Sequence, residues 1–563
     1  MDRTSLGATL APLVGFIYPG RADEVRTALL GLADEWEGRL VGRQVLRPDQ
    51  STAYLITYGD AIRRPGEAPL RTLGRVLRDQ VGDAVTNVHL LPMFPWTSDD
   101  GFAVVDHRAV NPDLGTWQDV ADLGADHDLM FDFVANHVSS SSPWFTGWLE
   151  GDPRYDGYFF EPGPDFDTSH VVRPRTSPLV HHYRRPDGTE VGAWTTFGRD
   201  QVDVNVAEPR VLLDLTDVLL GYVERGATTI RLDAIGFLWK QSGTSCLHLQ
   251  QTHAVIKIWR ALLDQIAPGV RLLTETNVPH TENISYFGDG TDEAHMVYQF
   301  ALPPLVLHAF VSGHASTLAD WAQGIAPISD TATWFNFLAS HDGIGLRPTE
   351  GILTDADRAT LVERVLARGG RVSMTTRPDG SQTVYELNTS FLDALVDPAE
   401  PDQDSAVVAR GLAAHSILLS MVGVPAIYYH SLFGSTHDHD GMTTSGINRR
   451  INRQVLDADA LVRELTADGR RRAIFEGLTH QLAVRREHLA FSPWAGQEVQ
   501  ADDPRILVIR RAPGTEHEVV TAVNVSDEPV EVPGLSGLDV LSGERHNPLR
   551  LPPYGHAWLR PDR

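Results

Sequence analysis

The chain has 563 residues, of which 42% are hydrophobic and 22% are charged, and its formal net charge is −26 at pH 7. This length and composition predict a globular protein with two or more structural units. The strong negative charge disfavours nucleic acid and anionic membranes as partners. One cysteine excludes an intrachain disulfide, and no apolar run reaches the roughly 18 residues of a membrane span. We therefore expect a cytoplasmic protein.

The predicted elements begin with a helical N-terminal extension, residues 1–50. It is followed by eight short apolar runs that end in polar residues, with helix-like segments between most of them. Strands that alternate with helices in this way predict an α/β fold, the parallel (β/α)₈ TIM barrel. The runs are YLITYGD (54–60), VTNVHLLP (85–92), LMFDFVANH (129–137), TTIRLDAIG (228–236), RLLTETN (271–277), HMVYQF (295–300), WFNFLASHD (334–342) and VPAIYYH (424–430).

Two gaps between the predicted strands are too long to be simple connections. They predict an inserted B domain over 138–205 and a second excursion, B′, over 343–410. Both would lie at the C-terminal face of the barrel, where loops of such enzymes build the active site. Short alternating runs after residue 490 predict a C-terminal β-sandwich domain over 490–563. The barrel itself would then comprise residues 51–137, 206–342 and 411–489.

Three predicted strand ends each carry a carboxylate: Asp233, Glu275 and Asp342. In a barrel these ends converge on one rim. Converging acids have raised pKa values unless a cation intervenes, and Arg231, on the same strand face as Asp233, would keep that aspartate ionised. An ionised carboxylate beside a protonated one suits retaining glycosyl transfer. Metal binding and structural ion pairs are the alternatives that the spacing leaves open.

The sequence motifs around these acids resemble those of a known family. DFVANH (132–137), RLDAIGF (231–237), TETN (274–277) and SHDGIG (340–345) resemble, in order, the four signature regions of the α-amylase superfamily. The resemblance implies a nucleophile, a general acid/base and a transition-state stabiliser, and no cofactor or bound metal. These roles fall, in that order, on Asp233, Glu275 and Asp342, with Arg231, His137 and His341 in support.

Other stretches resemble the sucrose phosphorylase branch of that superfamily, among them SDDGF (98–102) and HDGIGLRP (341–348). Within the branch, ETNVPHTENISYFG (275–288) is most similar to glucosylglycerate phosphorylases, and Phe237 stands where sucrose phosphorylases usually have tyrosine. The resemblance implies conversion of 2-O-α-glucosylglycerate and phosphate to α-glucose 1-phosphate and glycerate. Sucrose, sucrose 6-phosphate and glucosylglycerol phosphorylases, an α-glucosidase and a non-catalytic sugar-binding protein stay open as alternatives.

The same resemblance implies a donor pocket that holds one terminal glucosyl unit. Asp99 matches an aspartate that binds the non-reducing end, and Phe102 would be an apolar platform for the sugar. The partner arginine of Asp99 is Arg453 in INR, with Arg449 as the alternative. Longer glucans would collide with this pair.

Arginines in the predicted B domain are candidates for phosphate binding. Arg173 and Arg175, in VVRPRTSP, match a branch arginine that contacts phosphate, and guanidinium groups pair bidentately with oxyanions. The alternative is that they form ion pairs with the nearby Asp165 or Asp167.

Glycerate is also an anion, so phosphate and acceptor could use one cationic pocket in turn. Arg347, just past Asp342, is a further candidate, Lys240 is a weaker one, and Glu386 in YELN is a candidate acceptor contact. The expected partners are small molecules only: an α-glucoside, inorganic phosphate and glycerate. The expected assembly is a monomer or a homodimer.

Overall fold

The computed structural model describes residues 2–40, 45–376 and 381–562. Eight parallel strands close into a barrel, each paired with its neighbours in chain order and the last paired with the first. The predicted α/β barrel is therefore confirmed, with a strand inside each of the eight predicted runs or overlapping it. The strands are β1 (Tyr54–Thr57), β2 (Asn87–Leu90), β3 (Asp128–Phe133), β4 (Ala227–Leu232), β5 (Arg271–Thr274), β6 (Met296–Tyr298), β7 (Thr333–Phe337) and β8 (Val424–Tyr428).

The helices around the barrel follow from their apolar spacing. Pro209–Glu224 begins with proline in its first turn, where no hydrogen bond is lost, and buries Leu212, Leu215, Leu219 and Val223 on one face. None of the described helices is long and apolar enough to span a bilayer. Further α-helices are Pro69–Val76, Trp117–Leu123, Gln250–Ile266, His280–Asn283, Leu302–Ser312, Ser316–Gln323, Phe391–Ala394, Gln403–Ser420, Tyr429–Leu432, His439–Ser445, Ala458–Thr466 and Arg470–Glu487.

Two helices, Arg3–Ile17 and Ala22–Leu40, occupy the range of the predicted N-terminal extension. They pack on the outside of the barrel, where the Tyr18 hydroxyl donates to the Val206 carbonyl (2.6 Å) and the Trp36 indole donates to Asp217 (3.0 Å). Residues 41–44 of this range lie outside the described residues.

The two predicted insertions lie over the C-terminal ends of the barrel strands. The first contains the helix Pro143–Glu150 and the hairpin Val180–Arg184 with Glu190–Trp194. The second contains the helix Asp355–Ala367 and a sheet of Ile344–Gly345, Gln382–Asn388 and Arg371–Thr376. They touch where the Thr375 hydroxyl donates to the Arg173 carbonyl (2.9 Å).

The predicted boundaries of the insertions stay predictions, although residue 410 falls inside the helix Gln403–Ser420. Residues 377–380 of the second insertion lie outside the described part of the chain.

The C-terminal region consists of two packed β-sheets. An apolar cluster between them includes Val508, Val520, Leu549 and Leu559, and Trp558 on the other face packs against the barrel core. The larger sheet contains Gln497–Gln500, Ile506–Arg511, Val519–Asn524, His556–Pro561, Gly537–Asp539 and Arg545–His546, and the smaller one Val530–Val532 and Leu549–Leu551.

Candidate active site

A pocket of about 770 Å³, partly open to solvent, lies at the C-terminal ends of the barrel strands. It brings together ten residues that the sequence predicted for the site: Asp99, Phe102, His137, Arg175, Asp233, Glu275, His341, Asp342, Arg347 and Arg449.

Asp233 follows strand β4, and Arg231 lies at the end of that strand. Arg231 Nη1 donates to Asp233 Oδ1 at 2.8 Å, as expected for side chains two positions apart on one face. The next residue, Ala234, has φ of 46° and turns its N–H onto Glu275 Oε2 at 2.9 Å. The turn after Asp233 is therefore hydrogen-bonded to the Glu275 carboxylate.

The electrostatics of Asp233 differ from the prediction. Arg231 also forms an ion pair with Asp132 on strand β3, and Asp132 is fully buried and accepts from His89 Nε2 at 2.7 Å. Burial, together with Glu275, Asp132 and Asp342, raises the pKa of Asp233 well above its ordinary value although Arg231 lowers it. The expectation that Arg231 keeps Asp233 ionised is therefore wrong, because burial and the neighbouring acids outweigh Arg231, which is shared between two aspartates.

Glu275 follows strand β5 and faces the same pocket. Burial is the largest cause that raises the pKa of Glu275 above its ordinary value, and the charge of Asp342 adds to it. Arg231 Nη2 lies 4.0 Å from Glu275 Oε2, farther than its 2.8 Å contact with Asp233. Arg231 therefore stabilises a negative charge on Asp233 more than one on Glu275.

Asp342, after strand β7, has the opposite environment. Arg449 Nη1 lies 2.5 Å from Asp342 Oδ1, and the neighbouring His341 and Arg453 lie within 4 Å. Burial opposes ionisation, but these groups outweigh it and hold the pKa of Asp342 far below its usual range. Arg449 also binds Glu386 through two hydrogen bonds of 3.0 and 2.6 Å.

Rings and amides define the predicted donor end of the pocket. The Phe102 and His341 rings stack with centroids 4.8 Å apart. His137 Nε2 lies 2.9 Å from the Phe102 carbonyl, and the Gln201 amide donates to Asp99 at 3.2 Å. These contacts fix the aromatic platform and the predicted sugar-binding aspartate.

Arg449 and Arg453, the two candidate partners of Asp99, occupy different positions. Arg449 lines the pocket, whereas Arg453 lies in its wall and donates to Asp100 at 2.8 Å instead of to Asp99. Glu386 is 1% exposed and lies behind Arg449, so its neighbour Tyr385 lines the pocket instead.

Two of the candidate anion-binding groups, Arg175 and Arg347, also line the pocket. Arg175 lies beside the Phe197 ring (5.8 Å) and forms no ion pair with a described carboxylate, so neither it nor Arg173 is paired with Asp165 or Asp167. Arg173 instead donates to the backbone carbonyl of Ser177 and does not line the pocket.

Of the other two candidates for anion binding, Arg347 lines the pocket and Lys240 does not. Arg347 lines the pocket and lies 3.9 Å from Glu282. Lys240 is buried outside it, bound to Asp203 (2.7 Å) and Asn136 (2.9 Å). The described residues contain no group of three or more side chains suited to hold a metal ion.

The chain is similar to known proteins over nearly its whole length. A family model, the α-amylase catalytic domain, matches residues 82–344. The glucosylglycerate phosphorylase of Allomeiothermus silvanus is 46% identical over 548 residues, which are 97% of each chain. The glucosylglycerate phosphorylase of Spirochaeta thermophila is 48% identical over 526 residues, 91% of this chain and 88% of that protein. The chain belongs to the glucosylglycerate phosphorylase family.

The predicted resemblance to glucosylglycerate phosphorylases is thus confirmed. Among solved structures, the crystal structure of sucrose 6F-phosphate phosphorylase from Thermoanaerobacter thermosaccharolyticum superposes with a TM-score of 0.74 at 22% identity, over 86% of this chain and 96% of that one. At that identity the likeness concerns the fold alone.

Among the pocket residues of this glucosylglycerate phosphorylase family member that had no predicted role are Phe197, Gln201, Asn277 and Tyr385. Strand alternation could have indicated Tyr385. Adjacent residues in YELN face opposite sides of the strand, so Tyr385 and Glu386 cannot both reach the pocket. Gln201 reaches it because its strand pairs with His137–Ser139, and no short-range pattern reports that pairing.

Proposed function

We propose that this chain is a retaining phosphorylase that converts 2-O-α-glucosylglycerate and phosphate to α-glucose 1-phosphate and glycerate, reversibly. The observation that carries the proposal is the lining of one pocket. The three strand-end carboxylates line it, and so does Arg175, which has no carboxylate partner among the described residues. In a chain of net charge −26, an unpaired guanidinium in a pocket is a specific feature that suits an anionic substrate.

The first step forms a covalent glucosyl-enzyme. Asp233 attacks the anomeric carbon while Glu275 gives its proton to the departing glycerate oxygen. The step needs the charge on Asp233, which the hydrogen bond from Arg231 stabilises, and the proton on Glu275, whose pKa burial raises.

The second step transfers the glucosyl group to phosphate. Glycerate leaves, phosphate enters on the same face, and Glu275 accepts the proton of the attacking phosphate oxygen as the bond to Asp233 breaks. Two inversions at the anomeric carbon leave the α configuration retained.

Asp342 stabilises the positive charge that develops on the sugar in both transition states. Arg449 keeps it ionised, so a full negative charge faces the sugar ring. Asp99, His137 and His341 bind hydroxyls of the glucosyl unit on the Phe102 platform, where they fix its position relative to Asp233.

Phosphate and glycerate use one cationic subsite in turn. Both are small anions, and Arg175 and Arg347 both line the pocket. The Asn277 amide lies 3.3 Å from the Tyr385 hydroxyl in the same lining, and both groups can bind acceptor hydroxyls. Shared use explains how one pocket serves forward and reverse reactions.

We expect this pocket to bind fructose less well than glycerate. Phe237 and Val278 line it without a hydroxyl or a charge, so fewer polar groups are available for a ketose ring. Sucrose, sucrose 6-phosphate and glucosylglycerol phosphorylase activities are the alternatives.

An acceptor panel tests the proposal. The purified chain is incubated with α-glucose 1-phosphate and D-glycerate, glycerol, fructose or fructose 6-phosphate, and phosphate release is measured. We expect the fastest release with D-glycerate. Faster release with another acceptor would refute the choice of acceptor, and no release with any of them would favour a hydrolytic or non-catalytic protein.

We also infer a cytoplasmic location, which agrees with the single cysteine. The proposed assembly is a monomer or a homodimer, which light scattering after size-exclusion chromatography would distinguish.

A further inference from the structure

A second cavity of about 1040 Å³ adjoins the donor end of the active-site pocket. Tyr58, Asp100, Arg450 and Arg453 line it, and Trp96 at its edge is 37% exposed, so the cavity is open to water. No role has been assigned to it so far.

The partition between the two cavities is one side chain thick. The His341 ring lies between Phe102 of the active-site pocket (4.8 Å between centroids) and Tyr58 of the second cavity (6.0 Å). Arg453 continues the partition, since its Nε donates to the His341 carbonyl at 2.8 Å and its Nη1 to Asp100 at 2.8 Å.

Asp100 holds Arg453 of this partition in place. It accepts from Arg453 Nη1 and, through both oxygens, from Arg450 at 2.5 and 3.3 Å. Burial opposes ionisation, but the two guanidinium groups lower the pKa of Asp100 below its ordinary value. A charged carboxylate with two arginine partners is a strong hydrogen-bonding unit.

The backbone around Asp100 is held in an uncommon conformation. Asp99, Asp100 and Gly101 have φ of 55°, 48° and 115° in succession, and a Cβ at Gly101 would lie 2.9 Å from the Pro92 carbonyl oxygen. Consecutive non-glycine residues rarely adopt positive φ unless the surrounding structure requires it. The turn directs Asp99 to the active-site pocket and Asp100 to the second cavity.

We propose that Asp100 is a positioning residue that closes the donor end of the pocket by holding Arg453, and so keeps water of the second cavity away from the glucosyl-enzyme. This inference rests on the proposed function. Water that entered would form a bond from its oxygen to the anomeric carbon as the bond to Asp233 breaks. Glu275 would accept its proton, and the product would be free glucose instead of α-glucose 1-phosphate.

Loss of the Asp100 carboxylate would open this partition. Arg453 Nη2 has no hydrogen-bond partner and lies 3.8 Å from Asp342 Oδ1, so a released Arg453 turns toward Asp342. Arg450, whose side chain is 40% exposed, turns to solvent. The space that both guanidinium groups filled then connects the two cavities.

The test is a product ratio measured with Asp100→Ala, Asp100→Asn and the control Asp113→Ala. Asp113 is exposed, lines the same cavity and does not contact Arg453 or Arg450. Each variant is incubated with glucosylglycerate and phosphate, and free glucose and α-glucose 1-phosphate are quantified together. A partly unfolded sample loses both products equally, so the ratio reports water access specifically.

We expect the ratio of glucose to α-glucose 1-phosphate to rise roughly tenfold in Asp100→Ala and to stay at the wild-type value in Asp113→Ala. Asparagine tolerates positive φ and keeps one acceptor oxygen, so Asp100→Asn should fold and show a smaller rise. A wild-type ratio in both Asp100 variants would overturn this inference while leaving the proposed function intact. Absence of α-glucose 1-phosphate with the wild type would overturn both.

Discussion

The guanidinium of Arg449 lies 2.5 Å from Oδ1 of Asp342 and so connects a barrel strand end to a residue far along the chain. The same guanidinium binds Glu386 of the second insertion, which is almost fully buried. Arg449 therefore does two things at once. It keeps Asp342 ionised, and it fixes the second insertion over the barrel rim.

Replacement of Arg449 by methionine should cost stability as well as activity. Glu386 would become a buried charge without a cationic partner, and such a loss costs about 3–5 kcal/mol. We expect Arg449→Met to lower the free energy of unfolding by that amount in urea denaturation, and Arg449→Lys to lower it less because the charge remains. Equal stability of Arg449→Met and wild type would contradict the structural role.

Asp233→Asn should abolish turnover and leave the fold intact. The amide cannot attack the anomeric carbon, and loss of a nucleophile costs on the order of 10⁴-fold or more in kcat. Phosphate release and the thermal unfolding temperature are the measurements. Asp128→Asn is the matched control, since Asp128 is exposed at the other end of a barrel strand and should be fully active. Substantial phosphorolysis by Asp233→Asn would refute its role as nucleophile.

The pH dependence of kcat/KM should be displaced upward. The reaction needs Asp233 ionised and Glu275 protonated, and burial raises both pKa values. Because the two carboxylates interact, activity rises with pH as the pair loses its first proton and falls as it loses its second. Both limbs should lie above the ordinary carboxyl pKa of about 4, and Glu275→Gln should remove the upper limb from the residual activity. An upper limb at the ordinary value would contradict the burial argument.

Arg175 and Arg173 allow a matched comparison of phosphate binding. Arg175 lines the pocket, whereas Arg173 donates to the Ser177 carbonyl. We expect Arg175→Ala to raise the KM for phosphate roughly 10- to 100-fold, the loss of one charge-assisted pair, and Arg173→Ala to raise it far less. Initial rates over a phosphate series measure both values. The reverse order would exchange the two assignments.

Much of the fold could be predicted from the chain alone because the evidence is local. Buried parallel strands consist of short apolar runs, and helices repeat their apolar residues every three or four positions. Glucosylglycerate phosphorylase relatives confirm the resemblance that ETNVPHTENISYFG (275–288) carries. The strand-end acids Asp233, Glu275 and Asp342 share one pocket because the ends of neighbouring parallel strands meet at one rim.

The sequence by itself therefore determined the barrel, its family and the three acids. Only the tertiary structure decided which arginine faces the pocket, because loop side chains are directed by contacts with distant segments. Asp100 holds Arg453 away from Asp99, Glu386 draws Arg449 to Asp342, and Arg173 turns to its own loop. The sharing of Arg231 between Asp132 and Asp233 likewise depends on two adjacent strands, and no spacing along a single strand reports it.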